Sequence, residues 1–285
     1  MASMTAAFDR DAALALLDFY VGAGVDLALD ETPHDRFAED RAEPARANLT
    51  RAASPAPRAP EPSRPLVPAG PPARPAPKAA AATPEAAARA ARDQVKDARS
   101  LDELEALLAS FEGCSLRATA KSLVFADGDP QGRVMLVGEA PGADEDRIGK
   151  PFMGRSGQLL DKMLAAIGFD RTQVYIANIV PWRPPGNRTP TPQEIAICKP
   201  FIEKQVALAD PDVLVCLGGP ATQTLLGVKD GILRARGRWF PYRTEKREIQ
   251  ALATLHPAYL LRQPLQKRLA WRDFRALRRT LDGAA

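Results

Sequence analysis

Four short runs of Val, Ile, Leu and Ala limit the folds open to this chain more than any other feature. They are VMLVG (134–138), VYIANIV (174–180), DVLVCLG (212–218) and IQALATL (249–255). Each is apolar with little alternation, the pattern of a strand covered on both faces. Helix signals lie between them. SGQLLDKMLAAIG ends on Gly168, a glycine placed for a C-terminal cap. Thr191, Pro192 and Glu194 open TPQEIAICKPFIEKQVAL as a capping box with proline in the first turn. GPATQTLLG reads as a third, shorter helix. Upstream, Ser100 and Glu103 form a second capping box, followed by a stripe of Leu101, Leu104, Leu107 and Leu108. Alternation of this kind predicts an α/β fold: three αβα layers around a four-stranded, mainly parallel central sheet.

The N-terminal third has a different character. Residues 9–22 carry an amphipathic pattern with Leu14, Leu17 and Phe19 on the apolar side. We read 1–40 as a helical segment that docks a protein partner. From 41 to 90, 30 of the 50 residues are Ala or Pro, too few large apolar groups to offset the entropy of ordering. That predicts a disordered linker over 41–95 and a folded domain over 96–285. No stretch approaches the roughly 18 apolar residues of a membrane span, and no cleavable leader opens the chain. Three scattered cysteines do not make a disulfide framework. These features predict a soluble, monomeric, cytoplasmic protein. The formal net charge of +4 suits a polyanionic partner.

In a parallel sheet, ligands bind beyond the carboxyl ends of the strands. The informative residues therefore follow each run. After the first comes GEAPGADEDRIGKPFMG, a glycine turn rich in carboxylates, which lacks the Gly-Lys-Ser/Thr of a P-loop. Phe152 in that stretch is either a core aromatic or a flat face for a base. Asn178 sits inside the second run, where a buried amide needs partners for both its donor and its acceptor. A ligand with adjacent N–H and C=O groups would supply both. Arg183, Arg188 and Arg262 lie in loops at the same edge, either as solvated charge or as phosphate contacts. KRLAWRDFRALRR near the C-terminus adds six basic residues against one Asp. His256, one of two histidines, follows the last run and precedes a proline.

Taken in order, GEAPGADED, GKPFMGRSGQLL, the Asn178 strand, RPPGNRTPTPQEI and HPAYLLR resemble the uracil-DNA glycosylase superfamily, specifically its type 4 branch, from about Gly113 to Leu277. The resemblance implies a repair glycosylase that hydrolyses the N-glycosidic bond of uracil in DNA and acts on the nucleoid. Uracil would be flipped from the stack into a site lined by Gly138 and Ala140. Phe152 would stack on it and Asn178 would read N3–H and O4. His256 would bond O2 as negative charge develops there. Glu139 or Glu145 would stabilise the sugar cation or position water. Arg183, Arg188 and Arg262 would hold phosphates, and Leu260 or Leu261 would fill the gap left by the base.

The same resemblance implies a [4Fe–4S] cluster on four cysteines. The matching positions are Phe111, Cys114, Trp182 and Cys198. Only two of four ligands remain, and a cubane needs four, so no cofactor is expected; an apolar plug would replace the cluster. Two other readings stand beside the enzyme: a protein that binds uracil-DNA or abasic sites with little turnover, and a hydrolase of free nucleosides. The basic loops and the Leu260–Leu261 wedge have no use in the latter.

Overall fold

The computed structural model describes residues 83–283. The 1–40 segment and most of the 41–95 linker lie outside the described residues.

The described chain runs through helices α1 (Pro84–Val95), α2 (Leu101–Ser110), α3 (Ala143–Ile148), α4 (Arg155–Ala165), α5 (Pro192–Ala209), α6 (Gly219–Leu226), α7 (Ile232–Ala235), α8 (Pro257–Arg262) and α9 (Lys267–Leu281). Its strands are β1 (Asp127–Gly128), β2 (Val134–Gly138), β3 (Tyr175–Asn178), β4 (Val213–Leu217), β5 (Trp239–Arg243) and β6 (Glu248–Thr254). They form one sheet in the order β1-β3-β2-β4-β6-β5. The contacts β3/β2, β2/β4 and β4/β6 are parallel. Both edge strands pair antiparallel.

The fold is α/β, as the four runs predict, but the sheet is mixed and has six strands rather than four. The two extra strands escaped the apolar pattern for a physical reason. β1 is only two residues long, and β5 is half exposed and contains Pro241, which an edge strand tolerates. Alternate residues of the central strands enter two different cores. Met135, Val137, Tyr175, Leu214 and Cys216 pack with α2, α5 and α6. Val134, Leu136, Ile176, Val215 and Leu252 pack with Leu160 and Leu164 of α4 and Phe274 and Leu277 of α9.

Residues 84–95, placed in the linker by composition, are instead helix α1. Thr83 caps it by accepting from the Ala86 N–H, with Pro84 in the first turn. Ala87, Ala88, Ala91 and Val95 are buried against the core that includes α5. Alanine is the best helix former and lets two backbones approach closely, so an Ala-rich stretch is not disordered when a partner helix covers it. Among the described residues no helix is long and apolar enough to cross a membrane.

The Leu260–Leu261 pair also resolves. On α8 the two side chains point about 100° apart. Leu260 is 1% exposed and packs with Leu255 and Ala270, whereas Leu261 is 37% exposed. Leu260 is thus a core residue and is not available as a wedge. Leu260→Ala should cost about 2–5 kcal/mol in urea unfolding, with an unchanged denaturant slope.

Candidate active site

The chain turns from β2 to β3 on one side of the sheet, then crosses to β4 and β6 on the other. The strand order therefore reverses at the β2/β4 boundary, where a crevice opens beyond the carboxyl ends. A cavity of about 550 Å³ lies there, lined by Glu139, Phe152, Asn178, Gly218 and His256 among others.

Gly138, the last residue of β2, does not itself line the cavity but sits directly behind two residues that do. A Cβ at that position would come 2.5 Å from Asn178 Oδ1 and 2.6 Å from Phe152 Cζ. Only glycine lets the amide and the ring approach across the end of β2. Asn178, 5% exposed, is the last residue of β3 and sits on the cavity wall. The backbone beyond it is anchored by Ile179 and Val180 N–H groups donating to Gly138 and Glu139 carbonyls.

Phe152 adopts φ 55°, a left-handed conformation rare for an aromatic. Its surroundings enforce this. Arg171, held by Asp127 and Asp161, donates to the carbonyls of Pro151 and Phe152. Gly157 passes so close that a Cβ there would overlap the Phe152 carbonyl at 1.7 Å. The ring is stacked on His256, centroids 5.4 Å apart at 29°.

The two candidate carboxylates prove different. Glu145 accepts three backbone N–H bonds, from Gly142 (3.0 Å), Met153 (2.9 Å) and Gly154 (2.9 Å). It clamps the GEAPG turn to the PFMG loop. Glu139 lies on the wall; burial holds its carboxyl above the usual carboxylate range, opposed by a hydrogen bond with Thr189.

His256 caps α8: its Nδ1 accepts from the Ala258 N–H at 3.1 Å. The ring proton therefore resides on Nε2. Burial, then the positive charge of Arg262, pushes the imidazole pKa down to about 4, against the pull of Glu145. At neutral pH the group is an uncharged N–H donor. Gly218, at φ 91°, passes beneath it, with a Cβ there only 3.0 Å from the His256 Cβ.

The arginines separate as well. Arg188 and Arg262 line the cavity. Arg188 is held by both oxygens of Glu194, at 2.7 and 2.8 Å, and Glu194 in turn belongs to the capping box with Thr191. Arg183 is not on the cavity wall. It donates to Asn187 Oδ1 at 2.7 Å and pairs at 3.9 Å with Asp146. Arg262 has no carboxylate within ion-pair distance among the described residues. Ala140 lines the cavity, as do Ser156, Ile232 and Tyr259, which the sequence reading did not single out. Tyr259 lies within HPAYLLR, three residues after His256, so helical spacing offered a signal; Ile232 offered none.

A model of the uracil-DNA glycosylase superfamily matches residues 125–275, which hold every cavity residue named above. The chain belongs to this superfamily. It is 36% identical to the type-4 uracil-DNA glycosylase of Archaeoglobus fulgidus over 182 residues, 62% of this chain and 92% of that protein. The type-4 uracil-DNA glycosylase of Thermotoga maritima is 42% identical over 150 residues, 52% of this chain and 77% of that protein. A type-5 uracil-DNA glycosylase of Thermus thermophilus is 35% identical over 114 residues, 35% of this chain and 52% of that one.

Within this glycosylase-superfamily chain, the four positions that the resemblance would assign to cluster ligands, Phe111, Cys114, Trp182 and Cys198, belong to one core. Cys114 and Cys198 bring their sulfurs to 3.9 Å. The Phe111 ring packs on Phe201, centroids 5.1 Å apart, and folds over Gly113. Trp182 is buried in the same core. Among the described residues, no group of three or more His, Cys, Asp or Glu is placed to hold a metal ion.

Proposed function

We propose that this superfamily member hydrolyses the N-glycosidic bond of uracil in DNA, leaving an abasic site. The observation that carries the reading is the neutral His256. Its Nε2–H is the donor left over, and it shares one cavity with the Asn178 amide and the Phe152 ring. A flipped uracil would lie against Phe152, with Ala140 beside it. Asn178 would accept from N3–H and donate to O4; cytosine presents the opposite pattern. His256 would donate to O2 as the N1–C1′ bond breaks and the base leaves as an anion. A neutral donor fixed in place stabilises that charge without rearrangement. Glu139 would face the sugar cation or position water; Glu145, spent on three backbone bonds, would position the two loops instead.

The four cluster positions do not fit a [4Fe–4S] group. Two offer no donor atom, and the two remaining sulfurs are nearly in contact. The apolar packing of Phe111 and Trp182 ties these segments down in its place. The glycosylase unit extends from α1 to the end of α9. It acts as a cytoplasmic monomer on DNA, gripping phosphates with Arg262 and Arg188 and filling the vacated stack with Leu261.

The test is excision from a labelled uracil-containing oligonucleotide followed by alkaline cleavage, in metal-free buffer. Strand cleavage supports the enzyme. Salt-sensitive retention of the oligonucleotide without cleavage transfers the protein to the binding reading. Arg262→Ala should weaken DNA binding and lower the slope of log K against log salt by about one. It should also raise the His256 pKa, because the Arg262 charge depresses it.

A further inference from the structure

The two thiols left at the cluster positions have a geometry of their own. Cys114 and Cys198 are far apart in sequence, yet their sulfurs lie 3.9 Å apart inside the core. Cys114 precedes a single 3-10 turn, Ser115–Ala118, and follows Gly113; Cys198 is fixed within α5. Closing to a bond of about 2.05 Å requires a shift of roughly 2 Å, which falls on the irregular segment rather than on the helix. Cys216, buried in β4, is not paired with either.

We infer that Cys114 and Cys198 form a dithiol that hydrogen peroxide closes to an intramolecular disulfide, a covalent staple between the 111–118 segment and α5. One sulfur, as thiolate, attacks a peroxide oxygen. The O–O bond breaks, a sulfenic acid forms, and the departing hydroxide takes up the thiol proton as water. The second thiol sulfur attacks the sulfenyl sulfur and expels its hydroxyl as a second water. Two thiols and one peroxide give one disulfide and two waters; the two electrons lost by sulfur reduce the peroxide. Burial slows the first oxidation, and the second sulfur, 3.9 Å away, captures the sulfenic acid once it forms. The staple bears on the cavity, since Glu194, one helical turn before Cys198, holds Arg188 on the cavity wall.

The experiment is peroxide treatment of the native full chain, alkylation in denaturant, and peptide mapping by mass spectrometry. Titratable thiols should fall from three to one, with a single linked peptide joining Cys114 and Cys198 within one chain. Cys216→Ser should form the same bond, and Cys114→Ser should not. The oxidised protein should melt roughly 5 °C or more above the reduced one. Persistence of all three thiols, or a bond that involves Cys216 or joins two chains, overturns the inference. Equal melting of the two forms overturns the staple. None of these readouts depends on excision, so they stand apart from the glycosylase reading.

Discussion

Asn178→Ala should lower single-turnover uracil excision roughly a hundred- to ten-thousand-fold. Sites built to hydrogen-bond a substrate reject an analogue lacking the partner by about 10⁴–10⁵, because polar groups are left unpaired; removing the amide instead of the substrate group forfeits part of that. Asn178 is the one side chain at the end of β3 that presents a donor and an acceptor together on the cavity wall. The fold should tolerate the loss. The amide faces the cavity rather than a core partner, so the melting temperature should stay within a few degrees. Unchanged excision with a folded protein would show that base reading lies elsewhere. Equal loss of excision and of thermal stability would reduce Asn178 to a packing residue.

His256→Ala should cost roughly a hundred- to a thousand-fold in the same assay, the scale of removing one donor from a developing anion. The pH dependence distinguishes this donor from an imidazolium. The folded pKa of about 4 lies below the ordinary 6.5. As pH falls, the unfolded chain takes up the proton first. The neutral form thus leaves stability intact above pH 6.5. Stability is then lost progressively as pH falls toward 4, in total about 3 kcal/mol. Urea unfolding at a series of pH values should show this slope in the wild type and its loss in His256→Ala. Excision should not fall between pH 7 and 6 from titration of His256. If His256 acted as a cation, it would rise across that interval.

The parallel core was legible because burial on both faces demands apolar runs, and four such runs are plain in the chain. The expectation that the informative loops follow the carboxyl ends of these runs rested on the same fact; the order of the strands did not show in the sequence. What stayed hidden depended on partners distant in sequence. Glu145 looks like any carboxylate of an acidic turn until Met153 and Gly154 donate to it from the next loop. Arg183 and Arg188 look equivalent in RPPGNR, yet Asp146 and Asn187 hold the first and Glu194 holds the second at the cavity. Leu260 and Leu261 differ only by helical phase. α1 was lost to composition, because alanines become core residues only when α5 lies against them.

The parallel pairing carries a consequence for how the protein comes into being. β2 pairs with both β3 and β4, and β4 pairs with β6, all in parallel, so no hairpin joins these four strands to one another; the β5–β6 hairpin lies at the sheet edge. Long loops have to close before these pairings repay their entropy, which makes such topologies slow to fold. Glu139, Asn178, Gly218 and His256 each come from a different strand end. A nascent chain can therefore complete the sheet and acquire His256 only after β6 has emerged. Fragments that stop short of it lack His256, and the cavity wall is complete only once β6 has joined β4.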